Sequence, residues 1–323
     1  MDRSGIVGNI NNRTVTFTCF LIICLELLVI LFMWSPPAAW LLVPNQQESS
    51  ATSTLKTTLE GDNQTFPTVK DMLEHLHDSP LMVTCVNYGF VELLYNLLFS
   101  IQRLKIQPNI LVICEDKMSF IELSKGRQNL NLEFKIALTF LEESTTKSTR
   151  YTSDSYIQLV QKRVYYIELL LRHNIDVLYI DSDIVLLEDP FKFMNGKEDL
   201  FIQSETPRKS VVCTGFFYIK ANNRTCRLIS AWRRALPRDK RGNQRVFNEV
   251  LNRFKRQIKV NILPTDRFFS GKIFAASNEP WSKRSPKPVE IHANFMTGSV
   301  KKTQTMKNLG LWFIPPSNNS NIL

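Results

Sequence analysis

The chain has 323 residues, of which 44% are hydrophobic and 22% charged. That balance belongs to a globular protein and excludes a wholly disordered one. Eleven glycines exclude a collagen-like chain, and six cysteines are too few for a disulfide scaffold. The formal charge of +10 suits an acidic partner: nucleic acid, phospholipid headgroups or a nucleotide-linked substrate.

The first apolar element is Val15 to Trp34, 20 residues whose single charge is Glu26. About 20 apolar residues are needed to cross the hydrocarbon layer, and the run exceeds the apolar stretch of a cleaved signal peptide. Arg3 and Arg13 precede it, and the next basic residue after it is Lys56. This asymmetry predicts a cytosolic tail over 1–14, a transmembrane signal anchor over 15–36 and the remainder across the membrane. The Ser- and Thr-rich stretch 45–66 has little apolar pattern and reads as an unpacked stalk, within a stem over 37–75 that leaves residues 76–323 as a luminal domain. Three sequons on that side, at Asn63, Asn223 and Asn318, are compatible with a secretory location. Cys213 and Cys226 are near enough in sequence to pair there, whereas Cys85 and Cys114 sit in apolar runs and read as buried thiols.

Within the domain, Leu81–Val86 reads as a buried strand, Asn87–Gly89 as a turn, and Val91–Leu104 has helical apolar spacing. A second apolar run, Ile110–Cys114, completes a strand–helix–strand order that predicts parallel strands and an α/β fold. Phe134–Phe140 is a third strand. Residues 142–155 are a polar loop, and Tyr156–His173 is a long amphipathic helix with Asn174 as its cap. Val177–Ile180, Phe201–Ile202 and Gly215–Ile219 are further strands, and Thr225–Ala235 and Gln244–Phe254 further helices.

The chemistry concentrates where the apolar strand Val177–Ile180 runs into Asp181-Ser182-Asp183. Ligands of parallel α/β sheets bind beyond the carboxyl ends of strands. Two carboxylates one residue apart at such an end suit a hard divalent cation, which in turn suits a departing diphosphate. The same residues, Asp181-Ser182-Asp183-Ile184-Val185, also fit the nucleophile motif of haloacid-dehalogenase-type phosphatases, with Asp181 attacking phosphorus. That motif normally opens its domain, and here about 100 residues and two or more strands precede it. A non-catalytic luminal scaffold is the third reading.

The stretch from Val177 through Asp181-Ser182-Asp183 to Asp189-Pro190-Phe191 resembles the nucleotide-diphospho-sugar transferase family that includes plant xylosyl- and arabinosyltransferases of cell-wall synthesis (glycosyltransferase family 77). Other blocks agree in order: Val83–Gly89 with Asn96, Cys114-Glu115-Asp116, Cys213–Tyr218, His292–Gly298, Lys301-Lys302 and Gly310-Leu311-Trp312. The resemblance covers about residues 80–313. It implies a GT-A (Rossmann-like) domain with a mixed, mainly parallel sheet that binds a nucleotide sugar, most often UDP-linked, and Mn2+ or Mg2+.

By that resemblance Asp181, Asp183 and His292 hold the metal. Lys301 and Lys302 neutralise the diphosphate, and Thr84, Asn87 and Asp116 contact the nucleoside. Lys162 takes the place of a family lysine, beside an Arg163 that reads as a surface residue. Gln244 and Glu205 face the sugar or acceptor, and Asn243 stands where the family has an aspartate. The expectation is therefore a Golgi type II membrane glycosyltransferase that moves a sugar from a UDP-sugar donor to a glycan or glycoprotein acceptor, with no nucleic-acid partner.

Overall fold

In the computed structural model, the described residues are 65–76, 79–139, 141, 146–147, 154–236, 242–271 and 280–316. The predicted anchor over 15–36 lies outside them, as do the cytosolic tail and most of the stem; among the described residues no helix is long and apolar enough to cross a membrane.

The strands are β1 (Thr65–Phe66), β2 (Leu81–Val86), β3 (Asn109–Cys114), β4 (Lys135–Leu138), β5 (Val177–Ile180), β6 (Ile184–Leu186), β7 (Leu200–Ser204), β8 (Val212–Ile219), β9 (Val260–Ile262), β10 (Phe268–Ser270) and β11 (Glu290–His292). The α-helices are α1 (Val69–Leu73), α2 (Val91–Arg103), α3 (Lys117–Gly126), α4 (Asp154–Arg172), α5 (Asn223–Ala235), α6 (Asn243–Phe254) and α7 (Ser299–Asn308). Eight strands form one sheet in the order β1-β4-β3-β2-β5-β8-β7-β9. It is parallel from β1 to β5, with β8 running against both its neighbours. This is the mixed, mainly parallel α/β sheet expected.

Alternation along the central strands explains why both faces are covered. Leu81 and Val83, Leu111 and Ile113, and Val177 and Tyr179 pack on one side, with α4, α5 and α6. Met82, Ile110 and Val112, and Leu178 and Ile180 pack on the other, with α2 and α3. Asn174 takes the left-handed conformation, φ 59°, just past α4, as a helix-ending residue does.

Two expectations are corrected. The segment read as an unpacked stem runs into the fold: β1 pairs in parallel with β4, and Val69 and Met72 of α1 are fully buried in the core. Two strand residues and a short helix give too weak a local pattern to declare themselves, and they are ordered by the edge they add to. Cys213 and Cys226 do not pair; both are free thiols. Cys213 lies at the start of β8 and Cys226 in the first turn of α5, beyond the other end of that strand. The intervening strand spans about 20 Å at ~3.3 Å per residue, whereas a disulfide needs Cα atoms within about 7 Å. Cys85 and Cys114 are free, as expected.

The short sheet β10-β11-β6 sets the site. The chain leaves β5 of the large sheet, turns through Asp181-Ser182-Asp183 and enters β6 of the small one. Antiparallel pairing places His292, the last residue of β11, opposite Ile184, and the Ala293 N–H donates to the Asp183 carbonyl at 2.9 Å.

Candidate functional site

The acidic turn is held from three sides. The Asp181 N–H donates to the Gly215 carbonyl at 2.8 Å, extending the β5–β8 ladder by one residue. Asp181 Oδ1 accepts from Arg163 at 2.8 Å and from the Tyr179 hydroxyl at 3.0 Å. Its other oxygen lies 3.7 Å from His292 Nε2. Asp183 Oδ1 lies 3.2 Å from the same Nε2, and Asp183 Oδ2 pairs with Lys302. Gly215 makes this convergence possible. A Cβ there would meet Asp181 Oδ2 and His292 Cε1 and stand 3.0 Å from Asp181 Cγ.

The charged groups of the cluster shift one another's protonation. Burial works to raise the Asp183 pKa, yet Lys302 and His292 outweigh it and hold the carboxyl well below the ordinary range. Burial works to lower the His292 pKa, but Asp183 and then Asp181 hold it above the ordinary value. On the far side of the ring, Nδ1 lies 3.3 Å from Gln203 Oε1 and 3.6 Å from Cys213 Sγ. Gln203 in turn donates to the buried Glu290. This chain of contacts fixes the ring and leaves Nε2 facing the carboxylates, as outer partners of a metal-binding histidine do. Burial pushes the Cys213 thiol up, so it packs beside the ring as a neutral group.

One donor atom from each of Asp181, Asp183 and His292 lies within 4.8 Å of the others. Bonds of about 2.1 Å in octahedral geometry put neighbouring donors about 3 Å apart. Two carboxylates and an imidazole are donors that a divalent ion of the Mn2+ or Mg2+ kind takes, and the 3.2 Å between His292 Nε2 and Asp183 Oδ1 is the separation of neighbouring ligands.

These groups border a cavity of about 430 Å³. Of the site residues expected from the sequence, Asn87, Asp181, Asp183, Glu205, Gln244, His292 and Lys302 line it. Glu205 is buried; its Oε1 accepts from Asn294 at 2.9 Å and its Oε2 has no hydrogen-bond partner. Gln244 Oε1 accepts from the Thr214 N–H at 3.3 Å. Asn87 donates to the Lys147 carbonyl at 2.9 Å, and so ties the polar loop, of which only residues 146–147 and the start of α4 are described, to the cavity wall.

Thr84, Asp116, Lys162 and Lys301 are not brought to the cavity. Thr84 is buried with its hydroxyl unpaired. Both Asp116 oxygens are taken by backbone, Oδ1 by Ser119 N–H at 2.9 Å and Oδ2 by Tyr88 N–H at 2.8 Å, so the side chain caps α3 and pins the turn after β2. Lys162 Nζ lies 3.4 Å from Glu115, and Lys301 is exposed on α7.

The residue next to Lys162 corrects the reading of that pair. Arg163, expected at the surface, is 6% exposed and lines the cavity. It holds Asp181 Oδ1, and it donates to Thr214 Oγ1 at 3.1 Å, which also accepts from Asn243 at 3.2 Å. The long helix turns about 100° per residue, so only one of two adjacent basic residues can face the acidic turn. Nothing in the local sequence says which. Asn294 was also missed as a site residue; it links Glu205 to the Gly271 N–H, 2.6 Å from its Oδ1.

Residues 105–306 match the family model described as nucleotide-diphospho-sugar transferase. The chain is 24% identical over 320 residues to a UDP-D-xylose:L-fucose alpha-1,3-D-xylosyltransferase of Arabidopsis thaliana, which covers 91% of this chain and 86% of that one. It is 23% identical over 289 residues to a UDP-galactose:fucoside alpha-3-galactosyltransferase of Dictyostelium discoideum, covering 75% of this chain and 44% of that one. Among solved structures, the glycosyltransferase GlyE of Streptococcus pneumoniae is 13% identical with a TM-score of 0.45, over 76% of this chain and 66% of that one.

Proposed function

Because the chain belongs to the nucleotide-diphospho-sugar transferase family and is a glycosyltransferase, we propose that it moves the sugar of a UDP-linked donor onto a fucose residue of a glycan or glycoprotein, in a reaction that needs Mn2+ or Mg2+. The observation that carries the cation requirement is the convergence of Asp181, Asp183 and His292 at one end of the cavity. The acceptor rests on the relatives: those named transfer different sugars, xylose and galactose, and both place them on fucose. The phosphatase alternative falls with the family assignment.

In the reaction, the bond between the sugar C1 and the diphosphate oxygen breaks and its electron pair stays with UDP. The acceptor hydroxyl forms the new C1–O bond and releases its proton. A cation bound at the cluster supplies charge neutralisation at the departing diphosphate. Arg163 and Tyr179 hold Asp181 in place, and Gln203 orients the imidazole of His292. Lys302, only 14% exposed, brings a point charge to the same end, which suits a phosphate oxygen. Glu205, with one carboxylate oxygen fixed by Asn294 and the other unpaired, is the candidate to act at the donor sugar, and Gln244, which lines the same cavity, is the second catalytic candidate. Asn87 contacts the nucleoside. We place the protein in the Golgi membrane as a single-pass type II protein, on the apolar run over 15–36 and the basic residues before it.

The test is UDP release from a panel of UDP-sugars, with Mn2+ and with chelator, for the native chain and for Asp183→Asn. Release that needs the metal and falls by at least about 100-fold in D183N is expected, since the variant removes a charge-stabilising ligand. Native release unaffected by chelator, or full release by D183N, overturns the cation requirement.

A further inference from the structure

The segment between β11 and α7 is fixed at both ends. Before it, His292 sits in the cluster and Asn294 is bonded to Glu205 and Gly271. After it, Gly298, with φ 82°, opens the helix that carries Lys302 to Asp183. Between these anchors stands Phe295, with φ 62°. A bulky residue in the left-handed region costs about 1–3 kcal/mol and persists where the surroundings impose it. Core packing does not account for the aromatic there, because Phe295 is 64% exposed. Phe295 lines the cavity, followed by Met296. A strained backbone and an exposed ring thus coincide at the rim of the reaction cavity, while the charged groups, Asp183 and His292, are buried in its wall.

We propose that Phe295 is the acceptor platform: its ring stacks on the C–H face of the acceptor monosaccharide, and with Met296 it favours a 6-deoxy sugar over its 6-hydroxy counterpart. This rests on the reading of the site as a UDP-sugar transferase. The physical basis is the negative face of an aromatic ring, which attracts the positively polarised C–H bonds that a pyranose turns to one side. The buried charged groups take the diphosphate, so the sugar that arrives from solvent meets the rim. The methyl group of a 6-deoxyhexose adds apolar contact there, whereas a hydroxymethyl group must give up water to the same surface.

The probes are methyl α-L-fucoside and its 6-hydroxy counterpart, methyl α-L-galactoside, offered to the full chain with Mg2+ and UDP-xylose or UDP-galactose. Phe295→Ala is expected to raise the fucoside KM about ten-fold, Phe295→Tyr to keep it within about two-fold, and the native preference of about five-fold for the fucoside to vanish in F295A. The UDP dissociation constant, read by calorimetry, shifts less than two-fold in F295A. In parallel, saturation-transfer NMR in the presence of UDP and Mg2+ reads fucoside binding without turnover: the ring C–H signals of the sugar are expected with the native chain and lost with F295A. An unchanged fucoside KM in F295A, an equal weakening of UDP, or no fucoside binding to the native chain overturns the proposal. Failure of the transferase reading is separate: the native chain then releases no UDP from any donor.

Discussion

The geometry of the acidic turn predicts the outcome of a single added carbon. Replacing Gly215 by Ala puts a methyl group between Asp181 and His292. Its carbon would lie 3.0 Å from Asp181 Cγ, about 0.4 Å short of ordinary contact, and nearer still to Asp181 Oδ2 and His292 Cε1. Metal–ligand distances tolerate only about 0.2 Å. At least one of the two donors must therefore leave the position it holds here. The backbone gives no relief and no excuse, since Gly215 is not among the glycines with positive φ and sits inside a regular strand. Overpacking of this kind costs about 1–3 kcal/mol, which a domain with about 5–15 kcal/mol of stability survives. The expected result is a folded protein with a local defect: Mn2+ affinity in the presence of UDP falls at least the about 10–100-fold that follows from disturbing a metal's surroundings. Calorimetric titration of Mn2+ into the native chain and G215A, with urea unfolding as the control, measures both quantities. Native Mn2+ affinity in G215A would refute the reasoning that these two side chains share one ion.

Two further predictions concern the groups behind the site. Arg163→Lys keeps the charge but loses the fork that joins Asp181, Tyr179 and Thr214; UDP release is expected to fall about 10–100-fold, with a cost of about 1.5–3 kcal/mol in urea unfolding for the lost charged hydrogen bonds. Unchanged release by R163K would show that Asp181 needs no such support. Burial pushes the Glu115 pKa up from 4.5 to about 7, with Lys162 and Tyr166 opposing. The folded protein therefore keeps a proton that the unfolded chain has lost, so stability falls as pH rises from about 4.5 to about 7, by about 3 kcal/mol in all. Glu115→Gln should remove most of that slope, as urea unfolding at pH 5 and pH 8 will show; an unaltered slope would place the titration elsewhere.

The sequence by itself determined the parts of the protein that repeat a local rule. The continuous apolar runs of β2, β3 and β5 and the helical spacing of α2, α4, α5 and α6 declare those elements, because the strands are buried on both faces and each helix on the face that its own residues define. The acidic turn was legible for the same reason: Asp181 and Asp183 follow an unmistakable buried strand. Tertiary structure decided what pairing and rotation decide. The three-residue strand Glu290–His292 pairs along β6 and Phe268–Ser270 pairs along Glu290–His292 in turn, and the first of these registers carries His292 to Asp183, 109 positions earlier in the chain. The choice between Lys162 and Arg163 is a matter of how α4 is turned on the sheet, and the separation of Cys213 from Cys226 is the length of β8. Local patterns report which residues want to be buried; only the packed sheet fixes which distant side chains are buried together.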